Sequence, residues 1–154
     1  MRQMSQLLTL ARDLKRRKAR ERKGQFVAEG VRTVEELLAS ARTISGALVS
    51  PSIHGTARGA ALLAALRSRG VETLEVSERD FDSAADTEHP QGVLAIATAP
   101  QWNLGALDLP TGTVRLLVLD GVQDPGNAGT LVRTGAALGV AAIIALPGTA
   151  DLWS

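Results

Sequence analysis

Apolar residues along this chain recur with two different periods, and each change of period marks the end of a short element. Over residues 4–22, Met4, Leu7, Leu8, Ala11 and Leu14 fall at helical spacing on one face with basic residues around the rest, which predicts one amphipathic helix. Residues 25–29 read as a strand. Residues 31–41 read as a helix with Val31, Val34, Leu37, Leu38 and Ala41 inward, and residues 46–50 as a strand. An alanine- and leucine-rich helix over 57–69 is closed by Gly70, residues 72–76 form a strand, and Ser77 caps a short helix reaching residue 83. Residues 92–98 are a strongly apolar strand. The alternation predicts a small α/β domain over 24–98, preceded by a basic amino-terminal helix at 1–23.

Residues 99–111 read as a linker, opened by Ala99-Pro100 and closed by Pro110-Thr111-Gly112. Its Trp102, Leu104 and Leu107 are expected to pack partly against a domain or a second subunit, with Trp102 as buried packing rather than a base-stacking platform. Beyond it, residues 114–119 are apolar except for Arg115, the mark of a strand buried on both faces of a parallel sheet. Asp120 sits at its carboxyl end, where open parallel sheets bind ligands. Pro125 and Gly126 are expected to make the sharp turn that follows, and Asn127 to cap a helix over 128–138. That helix would bury Leu131, Val132, Ala136 and Leu138, carry Arg133 about two turns from its cap, and end at Gly139. A last strand is expected over 141–146.

Composition is that of a globular protein, with 45% hydrophobic residues, 15 glycines and 6 prolines, so the cores must rest on Leu, Val, Ile and Ala because only 3% of residues are aromatic. Cysteine is absent, which excludes disulfides and thiolate metal sites and fits a cytoplasmic location. The basic amino terminus is not followed by an apolar h-region, so no secretory leader is expected. No stretch reaches the ~18 unbroken apolar residues of a membrane span. His54 and His89 stand apart from each other and from any acid pair, and no metal site is expected.

The net charge of +1 hides a strong asymmetry. Residues 1–23 hold nine Lys/Arg against Asp13 and Glu21, a net of +7, whereas residues 24–154 hold eight Arg against fourteen acids, a net of −6. Lys15, Arg16, Arg17, Lys18, Arg20, Arg22 and Lys23 form a cluster suited to salt-sensitive, sequence-independent contact with nucleic-acid phosphates. A solvated helix or arm and a surface for acidic lipid remain alternatives. No aromatic residue interleaves the cluster, so it would grip backbone and leave the choice of target to other elements.

The turn at 120–134 carries the chemistry, and several readings compete for it. A Rossmann fingerprint needs Gly-x-Gly-x-x-Gly, and Gly126-x-x-Gly129 lacks the first pair; a P-loop needs Gly-Lys-Ser/Thr, and Thr130-Leu131 follows Gly129 instead. A Walker-B-like aspartate at Asp120 would need a Walker A sequence, which the chain lacks. A plain strand-to-helix turn stays open on spacing alone. The residues Asp120, Asp124, Pro125, Asn127, Gly129, Arg133 and Thr134, continued by Gly139-Val140, the strand at 141–146 and the segment from Gly148 to Ser154, resemble the first motif of the SpoU/TrmH branch of the SPOUT methyltransferases. Enzymes of that branch methylate RNA ribose 2′-hydroxyls.

The resemblance extends to the first domain. Gly24-Gln25-Phe26-Val27-Ala28-Glu29-Gly30-Val31-Arg32, Glu35-Glu36-Leu37 and His89-Pro90-Gln91-Gly92-Val93 are similar to the hallmarks of the ribosomal-protein-like α/β/α substrate-binding domain that precedes the catalytic domain in many such enzymes. It implies an α/β protein with an RNA-binding domain followed, at 112–154, by the first half of a knotted SPOUT domain. Gly30 would then present open backbone amides to phosphate, with Arg32 joining them; the plainer alternative makes Gly30 only a turn and Glu29 a charge at a helix amino terminus. Arg133 would be catalytic, and Asn127 would order the loop and contact ribose or phosphate.

Transfer of a methyl group to a ribose hydroxyl gains from orientation and from help in removing the proton. Guanidinium normally stays charged, so a substrate phosphate or a water is the better acceptor, with Arg133 orienting it. The same resemblance implies S-adenosylmethionine as methyl donor, bound by residues beyond 154, and RNA as partner, ribosomal more than transfer RNA. It also implies a homodimer and no membrane contact. With only two parallel strand candidates before Ser154, the chain reads as an amino-terminal portion of the enzyme, inactive by itself. If 154 residues is the whole product, a non-catalytic RNA-binding protein is the alternative.

Overall fold

The structure is a computed structural model that describes residues 2–100, 105, 107 and 109–153, with only the backbone of residues 2–5. Trp102 and Leu104, with residues 101, 103, 106 and 108 of the expected linker, lie outside the described residues. Two compact units divide at residues 100 and 101.

In the first unit the elements run α1 (Arg2–Leu14), α2 (Arg17–Lys23), β1 (Gln25–Glu29), α3 (Val31–Ala39) and β2 (Ile44–Val49), then a 3₁₀ turn (Pro51–Gly55), α4 (Ala57–Ser68), β3 (Thr73–Glu75), α5 (Glu78–Ala84) and β4 (Val93–Thr98). The sheet has the order β1-β4-β2-β3. β4 runs antiparallel to both β1 and β2, and β3 parallel to β2.

Alternation along β4 explains why its sequence is continuously apolar. Val93, Ala95 and Ala97 enter a core with Val34 and Leu37 of α3 and Leu62, Leu63 and Leu66 of α4. Leu94 and Ile96 enter the opposite core with Leu7, Ala11 and Leu14 of α1 and Phe81 and Ala84 of α5. Successive strand residues point to opposite faces, so a strand between two helical layers must be apolar at every position. The unit is thus an α/β/α sandwich.

The helix expected over 4–22 is instead two helices, broken at Lys15 and Arg16. Arg20 closes the break from inside: it is buried, and its Nη1 donates to the carbonyls of Leu14 and Lys15, both at 2.8 Å. Those carbonyls stand at the end of α1, where intrahelical partners run out. Arg12 ties α1 to α5 through Ser83 Oγ at 2.7 Å and Asp80 Oδ1 at 2.9 Å. Ser77 caps α5 by accepting from the Asp80 amide, as its sequence position implies. Ala41 is exposed beyond the end of α3 rather than inward.

Across the α3–α4 pair, Arg58 donates to the Glu35 carboxylate, and this hydrogen bond holds the Glu35 carboxyl below its ordinary value. The direction means that the contact supports the fold above the ordinary carboxylate range and is lost as pH falls through the lowered value.

The second unit consists of β5 (Leu116–Leu119), α6 (Pro125–Ala137) and β6 (Ala142–Ala145), with the two strands parallel and in register from Leu116 with Ala142 to Leu119 with Ala145. Gly135 lets the helix settle on the sheet, since a Cβ there would stand 3.2 Å from Leu117 Cδ2. The expectation of a strand buried on both faces does not hold: Leu116 is 44% and Val118 51% exposed. Among the described residues this sheet has two strands and one helix, which cover one face.

The buried positions of α6 also differ from the pattern expected. Ala128 and Gly135 are buried, while Leu131, Ala136 and Leu138 are exposed and Val132 is half-buried. Gly139, at φ +70°, does end the helix, with its amide on the Ala136 carbonyl and that of Val140 on Gly135.

Phe81 is the largest fully buried side chain among the described residues and fills the α1–α5 side of the sheet. Phe81→Ala is expected to lower the stability of the first unit by about 3–5 kcal/mol, measured as a shift of the urea unfolding midpoint of the chain.

Candidate catalytic turn and nucleic-acid interface

The turn after β5 is organised by an aspartate. Asp124, not Asn127, caps α6: its Oδ1 accepts from the Asn127 amide at 2.7 Å, and Pro125 takes the first helical position, where its missing N–H costs no hydrogen bond. The Asp-Pro pair was the available signal. Pro125 and Gly126 therefore belong to the helix, and the glycine that turns the chain is Gly121, at φ +65°.

A second turn closes over the carboxyl end of β5. Buried Thr149 donates from Oγ1 to the Leu119 carbonyl at 2.9 Å, and the Ala150 amide donates to the Val122 carbonyl at 2.8 Å. Gly148, at φ +92°, brings its backbone to the Cα of Gly121, so a Cβ there would lie 4.0 Å from it. These contacts hold the two loops at the carboxyl ends of the strands against each other, and spacing alone did not reveal them.

Asn127 and Arg133 project from this frame. Asn127 is exposed, and its side chain makes no hydrogen bond among the described residues. Arg133 is exposed too, but its Nη2 donates to Thr130 Oγ1 at 3.1 Å. The guanidinium lies back along the helix toward its amino terminus, the direction in which helical side chains lean. Six positions separate the two residues, about 120° around the helix axis, so they do not share a face.

The basic cluster divides once its partners are seen. Lys18, Arg22 and Lys23 of α2 are exposed and without a side-chain partner among the described residues. Arg16 pairs with Asp13 at 3.3 Å and Arg17 with Glu21 at 2.8 Å, both at the surface, where such pairs exchange readily. Lys15 donates to the Ala85 carbonyl at 2.6 Å and faces Asp86 at 3.1 Å. Arg20 departs from the expectation altogether, because its burial and its two carbonyl partners make it part of the fold.

At the other end of β1, Glu29, Gly30, Arg32, Thr33, Thr87, His89 and Gln91 line a cleft of about 250 Å³. Gly30 has φ +90°, but its amide is not open: it donates to the Val93 carbonyl at 3.0 Å. The Val31 amide donates to Gln91 Oε1 at 2.9 Å, so Gln91 supplies the cap that Gly30 lacks. The amides of Arg32 and Thr33 remain without an acceptor among the described residues. Arg32 is exposed and pairs with Glu36 at 3.2 Å. Glu29 is not a helix-terminal charge: its carboxylate accepts from the Asp86 amide at 2.8 Å and from the Thr87 hydroxyl, anchoring the loop that walls the cleft.

Gly92, at φ +72°, is obligatory, since a Cβ would stand 2.4 Å from Ser52 Oγ and 2.7 Å from the Ile53 amide nitrogen. Gln91 and Gly92 are thus structural members of their motif. His54 lies 3.8 Å from Glu75, and among the described residues no three His, Asp or Glu side chains gather as a metal site. Among these residues no helix is long and apolar enough to cross a membrane.

A sheet covered by helices on both faces, followed by a parallel strand pair whose connecting helix carries Asn127 and Arg133, defines a class: an α/β protein in which a three-layer unit precedes the opening βαβ of a parallel-sheet domain. The chain belongs to the family described as the MRM3-like substrate binding domain, which matches residues 8–95. It is 30% identical over 138 residues to the 23S rRNA (guanosine(2553)-2′-O)-methyltransferase RlmP of Bacillus subtilis, across 90% of this chain and 50% of that protein. With the mitochondrial rRNA methyltransferase 3 of Homo sapiens it shares 26% identity over 155 residues, across 99% of this chain and 35% of the human one. The crystal structure of the AdoMet-bound rRNA methyltransferase from Sinorhizobium meliloti superposes with a TM-score of 0.75 at 29% identity, covering 96% of this chain and 54% of that one.

The resemblance to SpoU/TrmH-type methyltransferases therefore holds across both units, and the chain spans about half or less of these relatives.

Two substitutions separate fold from surface. Arg20→Ala removes charge-assisted bonds at a buried site and is expected to lower stability by about 1.5–3 kcal/mol, whereas Lys18→Ala is expected to stay within about 0.5 kcal/mol of the wild type. Chemical denaturation of both variants checks the pair.

Proposed function

We propose that the protein to which this chain belongs is an S-adenosylmethionine-dependent RNA 2′-O-ribose methyltransferase acting on ribosomal RNA, with residues 24–98 as its RNA-binding domain and residues 112–154 opening its catalytic domain. The observation that carries this reading is the presence, in one chain, of the family's substrate-binding domain and of a strand-turn-helix that exposes Asn127 and Arg133 at the carboxyl end of a parallel strand pair. The rRNA methyltransferases that match along both units support ribosomal RNA as the substrate class. The reading includes a cytoplasmic homodimer; the bare Leu116 and Val118 are in keeping with a face that is covered in the assembled enzyme.

The described residues do not by themselves fit the methyl donor. Beside the parallel pair stands no further strand among them, and a ligand of that size needs walls on more than one side. The chemistry assigned to this chain is therefore on the acceptor side. Arg133, charged and exposed, orients the RNA phosphate or a water that takes the 2′-hydroxyl proton, and the side-chain amide of Asn127, without a partner among the described residues, meets ribose or phosphate. Lys18, Arg22 and Lys23, with the looser pairs at Arg16 and Arg17 and the edge supplied by Lys15, contact phosphates along α2, while Gly30 and Arg32 shape the cleft beside α3.

In the complete protein, Arg133→Ala is expected to abolish methyl transfer to ribosomal RNA, scored by mass spectrometry of the nucleosides, while RNA affinity stays within about threefold. Unchanged methylation sinks the assignment of Arg133; RNA binding by a wild-type protein that methylates nothing favours a non-catalytic binder. Replacing Lys18, Arg22 and Lys23 together by Ala is expected to reduce the slope of log affinity against log salt by about 2–3, as measured by fluorescence anisotropy with an rRNA fragment.

A further inference from the structure

We propose that Thr130 is the positioning residue for Arg133 and that Gly129 provides the open slot in which the guanidinium lies, an inference that rests on the methyltransferase reading above. Thr130 Oγ1 donates its proton to the Gly126 carbonyl one turn back, at 2.9 Å. With the proton engaged there, the hydroxyl turns lone-pair density outward, and Arg133 Nη2 donates to it at 3.1 Å. The hydroxyl is thus a fixed acceptor bonded into the first turn of α6, the turn that Asp124 caps. An exposed arginine without such an acceptor samples many rotamers, and its charge spreads over a wide arc of the surface.

Gly129 completes the arrangement from the other side. A Cβ at this position would stand 3.2 Å from Arg133 Nη1, tighter than an ordinary van der Waals contact. Its φ is not in the left-handed region, so the backbone does not require glycine here; a Cβ would instead make the guanidinium give way by a few tenths of an ångström from its place against the helix. Alanine in a helix interior is normally the better residue by the conformational freedom it removes from the unfolded chain, and that gain is forgone where the guanidinium passes. Thr130 holds the charge by a hydrogen bond, and Gly129 leaves it room to be held.

The test is steady-state kinetics of the complete enzyme with an rRNA fragment and the methyl donor. Thr130→Val removes the hydroxyl at nearly constant shape and is expected to lower kcat about three- to tenfold, the equivalent of one net hydrogen bond, with KM for RNA within about twofold. Thr130→Ser restores the hydroxyl and is expected to recover kcat to within about twofold of wild type. Gly129→Ala is expected to lower kcat by a similar factor although its melting temperature is equal to or above that of wild type, an opposition that a purely structural role does not produce. Wild-type kcat in both Thr130→Val and Gly129→Ala, in an enzyme that Arg133→Ala inactivates, overturns the positioning role and leaves the methyltransferase reading standing. Full activity in Arg133→Ala removes that reading's catalytic residue, and the positioning role falls with it.

Discussion

Burial of β4 on both faces is the constraint on which the first unit is built. Val93, Ala95 and Ala97 belong to one core and Leu94 and Ile96 to the other, so a slip of one residue would exchange the contents of the two cores. Register with β1 and β2 follows, and with it the position of everything at the strand's beginning. Gln91 and Gly92 immediately precede β4, and their places are determined to within a hydrogen bond. Gly92 passes against the 3₁₀ turn where no Cβ fits, and Gln91 reaches the first amide of α3. The cleft beside Gly30 is therefore a product of core packing, although it is lined by polar groups.

Charge in the amino-terminal segment follows the same logic. Seven basic residues lie within nine positions, and they have different roles because the chain breaks at Lys15 and Arg16. The break leaves two carbonyls to satisfy, and a buried guanidinium bonded to both is the arrangement that avoids orphaned acceptors. Lys15 is drawn to the Ala85 carbonyl and Asp86, while Glu29 holds the next amide and hydroxyl of that loop from the other side. One loop is thus anchored by both a cation and an anion, joining the basic helices to the cleft wall within a single unit. Lys18, Arg22 and Lys23 stay exposed, without a side-chain partner among the described residues.

In the second unit, rigidity and exposure are separated along one helix. Its amino-terminal turn is capped by Asp124, and the loops at the strand ends are clasped by Thr149 and the Ala150 amide. The side chains of Asn127 and Arg133 stand outside that clasp. Arg133 gains direction from Thr130 without being buried, so its charge stays hydrated and available to an incoming anion.

Period and punctuation were enough to read β1, the cap at Ser77, the stop at Gly139, the alternation of helices and strands in the first unit, and the strand-turn-helix that bears Asn127 and Arg133. These are local matters: side-chain alternation, helical spacing and the turn preferences of glycine, proline and serine act over a few residues. The break inside the basic helix, the burial of Arg20, the cap by Asp124 and the bare faces of Leu116 and Val118 were settled elsewhere. Arginine has the same formula whether it meets phosphate or two carbonyls, and an apolar strand reads alike whether one face is covered or two. By itself the sequence determined most of the order of helices and strands and marked the residues that are candidates for chemistry. Tertiary structure decided which of those residues are engaged by the fold and which are left exposed, because that choice depends on partners as far as 70 positions away, as Lys15 and Ala85 are.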